Sequence, residues 1–264
     1  MQRNIPAGPR PTDVYFFATC LVDLFCPEAG MDAIQLLERE GIRVHFPENQ
    51  TCCGQPAYTS GYADEARLVA AKQLDLFPED WPVVVPSGSC AGMMFHHYPK
   101  LFAEDPVRKA QADALSGRVF ELTEFLLKVL KVQFKDAGKP TKVTLHTSCS
   151  ARREMGTHLH ARELLGQLSG VEVLMQSHES ECCGFGGTFS VRQPEISASM
   201  AGDKADSLKE TGAETFLSAD GGCLMNINGT LEKRRDSFRG QHLASFLWQR
   251  TGGRDGHIDK GEKA

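Results

Sequence analysis

Cysteines recur along this chain in one register. Cys20, Cys52, Cys53 and Cys90 are answered by Cys149, Cys182, Cys183 and Cys223, at offsets of 129, 130, 130 and 133 residues. A glycine follows each adjacent pair, as Gly54 and Gly184. Eight of the nine cysteines obey this register, so the chain reads as one cysteine-bearing module used twice.

Hydrophobic patterning repeats with the cysteines. Strands are expected at Val14–Ala18, Ile42–Phe46 and Val83–Val85, with helices over Pro27–Glu40 and Ala63–Phe77. The same order returns as strand Val143–Leu145, helix Arg152–Leu168, strand Val171–Leu174, helix Glu195–Glu210 and strand Thr215–Leu217. Helical pieces of similar make close the halves at Glu121–Leu126 and His242–Leu247. Short strands alternating with helices of 10–15 residues imply right-handed crossovers and a parallel sheet. The expected fold is α/β, with two pseudo-symmetric Rossmann-like lobes and mostly parallel sheets. The first module spans 12–134 and the second 142–250, joined by a linker carrying Gly138 and Pro140. A polar tail, expected to fray, runs over 251–264.

Each cysteine point falls just after a predicted strand, which places four sulfurs of each half at the carboxyl edge of a parallel sheet. Ligands sit at that edge in open α/β sheets, and the helix N-termini that face it favour thiolates and anionic groups. A vicinal cysteine pair is strained as a disulfide, yet on a tight turn it can reach two metal atoms of one cluster. Four thiolates per half suit a [4Fe–4S] cluster, one or two in the chain, and would equally satisfy a tetrahedral zinc. Structural zinc usually draws on short Cys-x₂₋₄-Cys knuckles, whereas most of these ligands lie 30 to 40 residues apart, which favours iron and sulfur. Cys26 has no counterpart and reads as a packed small hydrophobe.

Charge and composition narrow the classes further. The net charge of −5, with no clustered basic stripe, argues against nucleic acid. Lys233-Arg234-Arg235 is flanked by Glu232 and Asp236 and reads as a solvated face. Met1 to Pro11 carries three prolines and no signal-like apolar run, and nothing later suggests a membrane span. A cytoplasmic location is expected, where thiols stay reduced and serve as ligands or in catalysis.

With these residues in view, the pattern resembles the cysteine-rich CCG domain found in heterodisulfide reductase, in the glycolate oxidase iron–sulfur subunit and in the lactate-utilisation protein A family. Cys182-Cys183-Gly184-Phe185-Gly186-Gly187-Thr188-Phe189, Ser87-Gly88-Ser89-Cys90-Ala91-Gly92-Met93, His97-Tyr98-Pro99 and Glu121-Leu122-Thr123-Glu124-Phe125-Leu126 look most like the last of these. The resemblance spans about residues 12 to 250. It implies an oxidoreductase subunit of a cytoplasmic, NAD-independent complex that oxidises a small 2-hydroxy acid, L-lactate, to pyruvate. A ferredoxin-type iron–sulfur subunit and a third subunit are the implied partners. The alternatives are the iron–sulfur subunit of a glycolate-type oxidase, a thiol/disulfide reductase subunit, or a zinc-stabilised interaction module. Heterodisulfide-reductase motifs end in Cys-x-x-Cys, whereas here Ser87 and Asp220 stand at the first of those positions. The five-sulfur site of that relative is therefore not carried over unless an oxygen replaces the missing thiolate.

Other features have two readings. His146, three residues before Cys149, and His178, four before Cys182, either donate to a cluster sulfur or substrate carboxylate or are ordinary strand-end residues. Arg152-Arg153 either holds an anionic substrate or forms a salt-bridged helix face. His96-His97 meets a partner or solvent. His158 and His160, two apart on a helix, do not share a metal. Gly184-x-Gly186-Gly187 lacks the full spacing of a dinucleotide fingerprint.

Overall fold

The computed structural model describes residues 8–147 and 149–253. Of the expected tail, 254–264 lie outside the described residues. Two four-stranded sheets, all parallel, form the two lobes. In the first, β1 (Asp13–Phe16), β2 (Arg43–His45), β3 (Val83–Val85) and β4 (Val119–Glu121) stand in the order β2-β1-β3-β4. In the second, β5 (Thr141–Leu145), β6 (Val171–Leu174), β7 (Thr215–Ser218) and β8 (Gly240–His242) stand in the order β6-β5-β7-β8. The strand order reverses beside β1 and β5, which puts the switch-point crevice at the carboxyl ends of β1 and β3, and of β5 and β7.

The strands alternate between two cores because successive side chains face opposite sides. Val14, Phe16 and Val84 enter a core shared by both lobes, whereas Tyr15, Phe17, Val83 and Val85 face a core built mainly from the first lobe, into which Met155 of the second also packs. Leu36 and Leu37 of helix Pro27–Arg39 meet Phe246 and Leu247 of helix Leu243–Arg250 in the shared core. By the same pseudo-symmetry, helix Thr157–Leu165 brings Leu164 and Leu165 against the Leu122–Val129 segment of the first lobe. Each such buried leucine contributes about 1.5–3 kcal/mol, so separating the lobes would expose a large apolar surface.

The edge strands β4 and β8 replace the start of the two expected helical pieces. Glu121 and His242 each end a strand and cap the helix that follows, their side chains accepting from the backbone N–H two residues on, in Thr123 and Ala244. With its Nδ1 accepting, His242 donates through Nε2 to the carbonyls of Ala219 and, across the lobes, Pro86. The expected helix over Arg152–Leu168 is divided into a π-helical turn, Ala151–Met155, and helix Thr157–Leu165, with Gly156 left-handed between them. Helix Pro106–Arg118 is an additional element. Among the described residues, no helix is long and apolar enough to cross a membrane.

Candidate functional site

Each cysteine stands where the strand ends placed it. Cys20 opens helix Cys20–Phe25 after β1, and Cys90 lies in helix Gly88–Gly92 after β3. The Cys52-Cys53 turn follows β2, and Gly54 begins helix Gln55–Thr59. In the second lobe Cys149 follows β5, Cys182-Cys183 follow β6, and Cys223 lies in helix Gly221–Lys233 after β7.

The two Cys-Cys-Gly turns are closed alike. The N–H of Gly54 donates to Cys52 Sγ at 3.4 Å, and that of Gly184 to Cys182 Sγ at 3.3 Å. Both glycines have positive φ, +87° and +82°, which an L side chain rarely adopts. The carbonyl of the second cysteine is held by a different residue in each lobe. Tyr98 Oη donates to Cys53 O at 2.9 Å, and Asn226 Nδ2 to Cys183 O at 2.8 Å. Thr19, just before Cys20, holds φ +69°, a strained backbone for a β-branched residue.

Within each lobe the thiols influence one another in one order, Cys20 with Cys52, Cys52 with Cys53 and Cys53 with Cys90, and the second lobe repeats this through Cys149, Cys182, Cys183 and Cys223. The Cys20 thiol, followed by the Cys53 thiol and neighbouring backbone N–H groups, pulls Cys52 down to about 3, so it is held as a thiolate. Cys20 and Cys53 are pushed up, chiefly by their contacts with Cys52. In the second lobe all four thiols are pushed up instead, and each row of neighbouring sulfurs is a donor set for a soft, thiolate-bound metal or iron–sulfur group.

All eight cysteines line one cavity of about 180 Å³ between the lobes. At its wall, Ser87 and Asp220, the pseudo-equivalent positions, are bonded to each other. Asp220 Oδ1 accepts from Ser87 Oγ at 2.8 Å, Ser89 Oγ at 2.7 Å and Ser89 N at 3.1 Å. Ser87 and Asp220 are both 4% exposed. Cys26 is outside the cavity, with its thiol near Leu21 O and pushed up to about 11 by burial.

The remaining sequence candidates divide. Arg152 pairs with Glu179 at 3.2 Å, beside Arg162, on a salt-bridged face, whereas Arg153 is exposed. His178 is exposed and bonds Glu181 at 2.7 Å. His96 and His97 are half-buried. They bind Glu154 of the other lobe, through its carbonyl and carboxylate. Gly186 and Gly187 line the cavity. His146 alone among these is fully enclosed, beside Cys183 and Cys223. Tyr98, Asn226 and Thr19 were not singled out by their chemistry, and their sequence signals are weak because Tyr and Asn do one task in the two lobes.

Comparison with known proteins gives the same grouping. The cysteine-rich domain CCG matches residues 14–95 and 143–228. Lactate utilization protein A of Shouchella clausii is 43% identical over 235 residues, 89% of this chain and 98% of that protein. Lactate utilization protein A of Bacillus subtilis is 43% identical over 234 residues, with the same coverage. A hypothetical protein from Helicobacter pylori shares the fold, with a TM-score of 0.67 at 10% identity over 93% of this chain and 50% of its own. By its duplicated cysteine-rich domain and its full-length likeness to these relatives, the chain belongs to the lactate utilization protein A family.

Proposed function

We propose that this chain is the iron–sulfur redox subunit of a cytoplasmic, NAD-independent complex that oxidises L-lactate to pyruvate. The observation that carries the reading is the convergence of eight cysteines, four from each lobe, on one cavity in a chain related to lactate utilization proteins A. Cys20, Cys52, Cys53 and Cys90 would hold one [4Fe–4S] cluster, and Cys149, Cys182, Cys183 and Cys223 a second. When bound, such clusters take up and pass on single electrons. Oxidation of lactate to pyruvate releases two electrons and two protons. In this reading a ferredoxin-type iron–sulfur subunit and a third subunit complete the path.

The cavity favours electron transfer over carboxylate binding. Among the described residues, no Lys or Arg lines it, and its one carboxylate side chain is Asp220, of the wrong sign for a 2-hydroxy acid. The residues of this chain hold the clusters and keep the lobes together, and the substrate is met on a partner subunit.

Anaerobic purification from the native host, with iron, acid-labile sulfide and zinc analysis, tests the reading. Iron and sulfide in equal amounts, with a charge-transfer band bleached by L-lactate when the partner subunits are present, is the expected result. Zinc without iron would establish the interaction module instead, and bleaching by glycolate but not lactate would move the substrate.

A further inference from the structure

The two lobes are not alike beside their sulfurs. The offset that carries Cys20 onto Cys149 carries Phe17 onto His146. The backbones confirm the match: Phe17 N donates to Val84 O, and His146 N to Leu217 O, each on the neighbouring strand of its own sheet. Phe17 is fully buried and packs edge-on against Phe77, an ordinary apolar contact. His146 is 1% exposed, and among the described residues neither Nδ1 nor Nε2 has a hydrogen-bond partner. A buried polar group without a partner is rare in a folded chain and calls for a ligand. One ring nitrogen of His146, Cys183 Sγ and Cys223 Sγ all lie within 4.8 Å of one another.

Resting on the reading that these sulfurs hold iron, we propose that His146 is a nitrogen ligand of the second lobe's group. The first lobe offers sulfur alone and the second offers sulfur plus imidazole, so the two sites are chemically unequal. A neutral imidazole offers such a group a ring-nitrogen lone pair. Lys204 sharpens the difference. Its side chain is buried, with Nζ donating to Gln176 Oε1 and His178 O, near Cys182 and Cys183. The matching position in the first lobe, by the contacts that Gly54 and Gly184 make with their following helices, is the uncharged Gln73. The added nitrogen leaves all four thiolates in place, and the buried cation near them favours the reduced group. Electrons would therefore rest in the second lobe.

The test uses the full chain, purified anaerobically with its partners from cells fed ¹⁵N-histidine. In Cys53→Ala, which empties the first lobe, pulsed EPR of the reduced protein should show a directly coordinated nitrogen whose coupling changes with the isotope. His146→Phe, which copies the first lobe and so keeps the volume, should keep the iron and lose that coupling. His146→Cys should keep the iron and lose the nitrogen. Iron-loaded protein without an isotope-sensitive nitrogen, or with one that survives His146→Phe, would overturn the assignment while leaving the functional reading intact. Wild-type protein free of iron would overturn both.

Discussion

Gly54 and Gly184 occupy the same place in the two cysteine turns, yet replacing each by alanine should cost different amounts. Both have φ above +80°, and placing an alanine there costs about 1–2 kcal/mol. At Gly54 the new Cβ would lie 3.3 Å from Ala66 O, a contact relieved by a few tenths of an ångström. At Gly184 it would lie 2.7 Å from Ser197 O and 2.9 Å from Met200 Cβ. Ser197 lies in helix Pro194–Lys209, and its hydroxyl accepts from the same Asn226 amide that holds Cys183 O, so the helix cannot retreat without loosening the cysteine pair. Overpacking of this kind adds about 1–3 kcal/mol. Gly54→Ala should therefore lose about 1–2 kcal/mol and Gly184→Ala about 2–5 kcal/mol. Urea unfolding of the metal-free protein measures this, provided the slope with denaturant is unchanged between variants. In the metal-loaded protein, Gly184→Ala should release metal from the second lobe first. An equal loss in both variants, or a larger one in Gly54→Ala, would refute the packing argument.

Asp220→Ala leaves the hydroxyls of Ser87 and Ser89 and one N–H without their acceptor, and should cost about 2–4 kcal/mol. A double-mutant cycle with Ser87→Ala checks it, because additive losses would mean that the two residues do not act as a pair. Cys183→Ser should abolish metal binding in the second lobe, whereas Cys26→Ser should leave metal content unchanged. Equal losses by metal analysis would show Cys26 to be misassigned. Burial pushes the carboxyl of Glu121 from its ordinary 4.5 up to about 8. The folded state therefore binds this proton more tightly, and the stability it contributes is whole below about pH 4.5 and is lost as pH rises to about 8. Glu121→Gln should flatten that part of the stability profile, and an unchanged slope in calorimetry across pH 5–8 would count against it.

The cysteine register revealed the duplication, the parallel sheets and the edge on which the sulfurs lie, because each of these depends on local order along the chain. The edge strands were not legible in the same way. Gly240-Gln241-His242 carries no strand signal, and it is a strand because Phe216, Leu217 and Ser218 pair with it. The meeting of both sulfur sets in one cavity depends on how the lobes pack, which no spacing within a module encodes. The same holds for His96 and His97, whose partner Glu154 lies 58 and 57 residues away in the other lobe. The asymmetry at Phe17 and His146 was present in the register, but only the missing bonding partners gave it meaning.

The bond between Ser87 and Asp220 has a consequence for how such a protein can change over time. Duplication produced two copies of one position, and folding set those copies against each other, so neither has a neighbourhood of its own. A substitution at one alters the surroundings of the other, and the repeats are bound to drift as a pair. A single module cut from this chain would carry half of a bond into solvent, and a module borrowed from a relative would have to match the partner it meets.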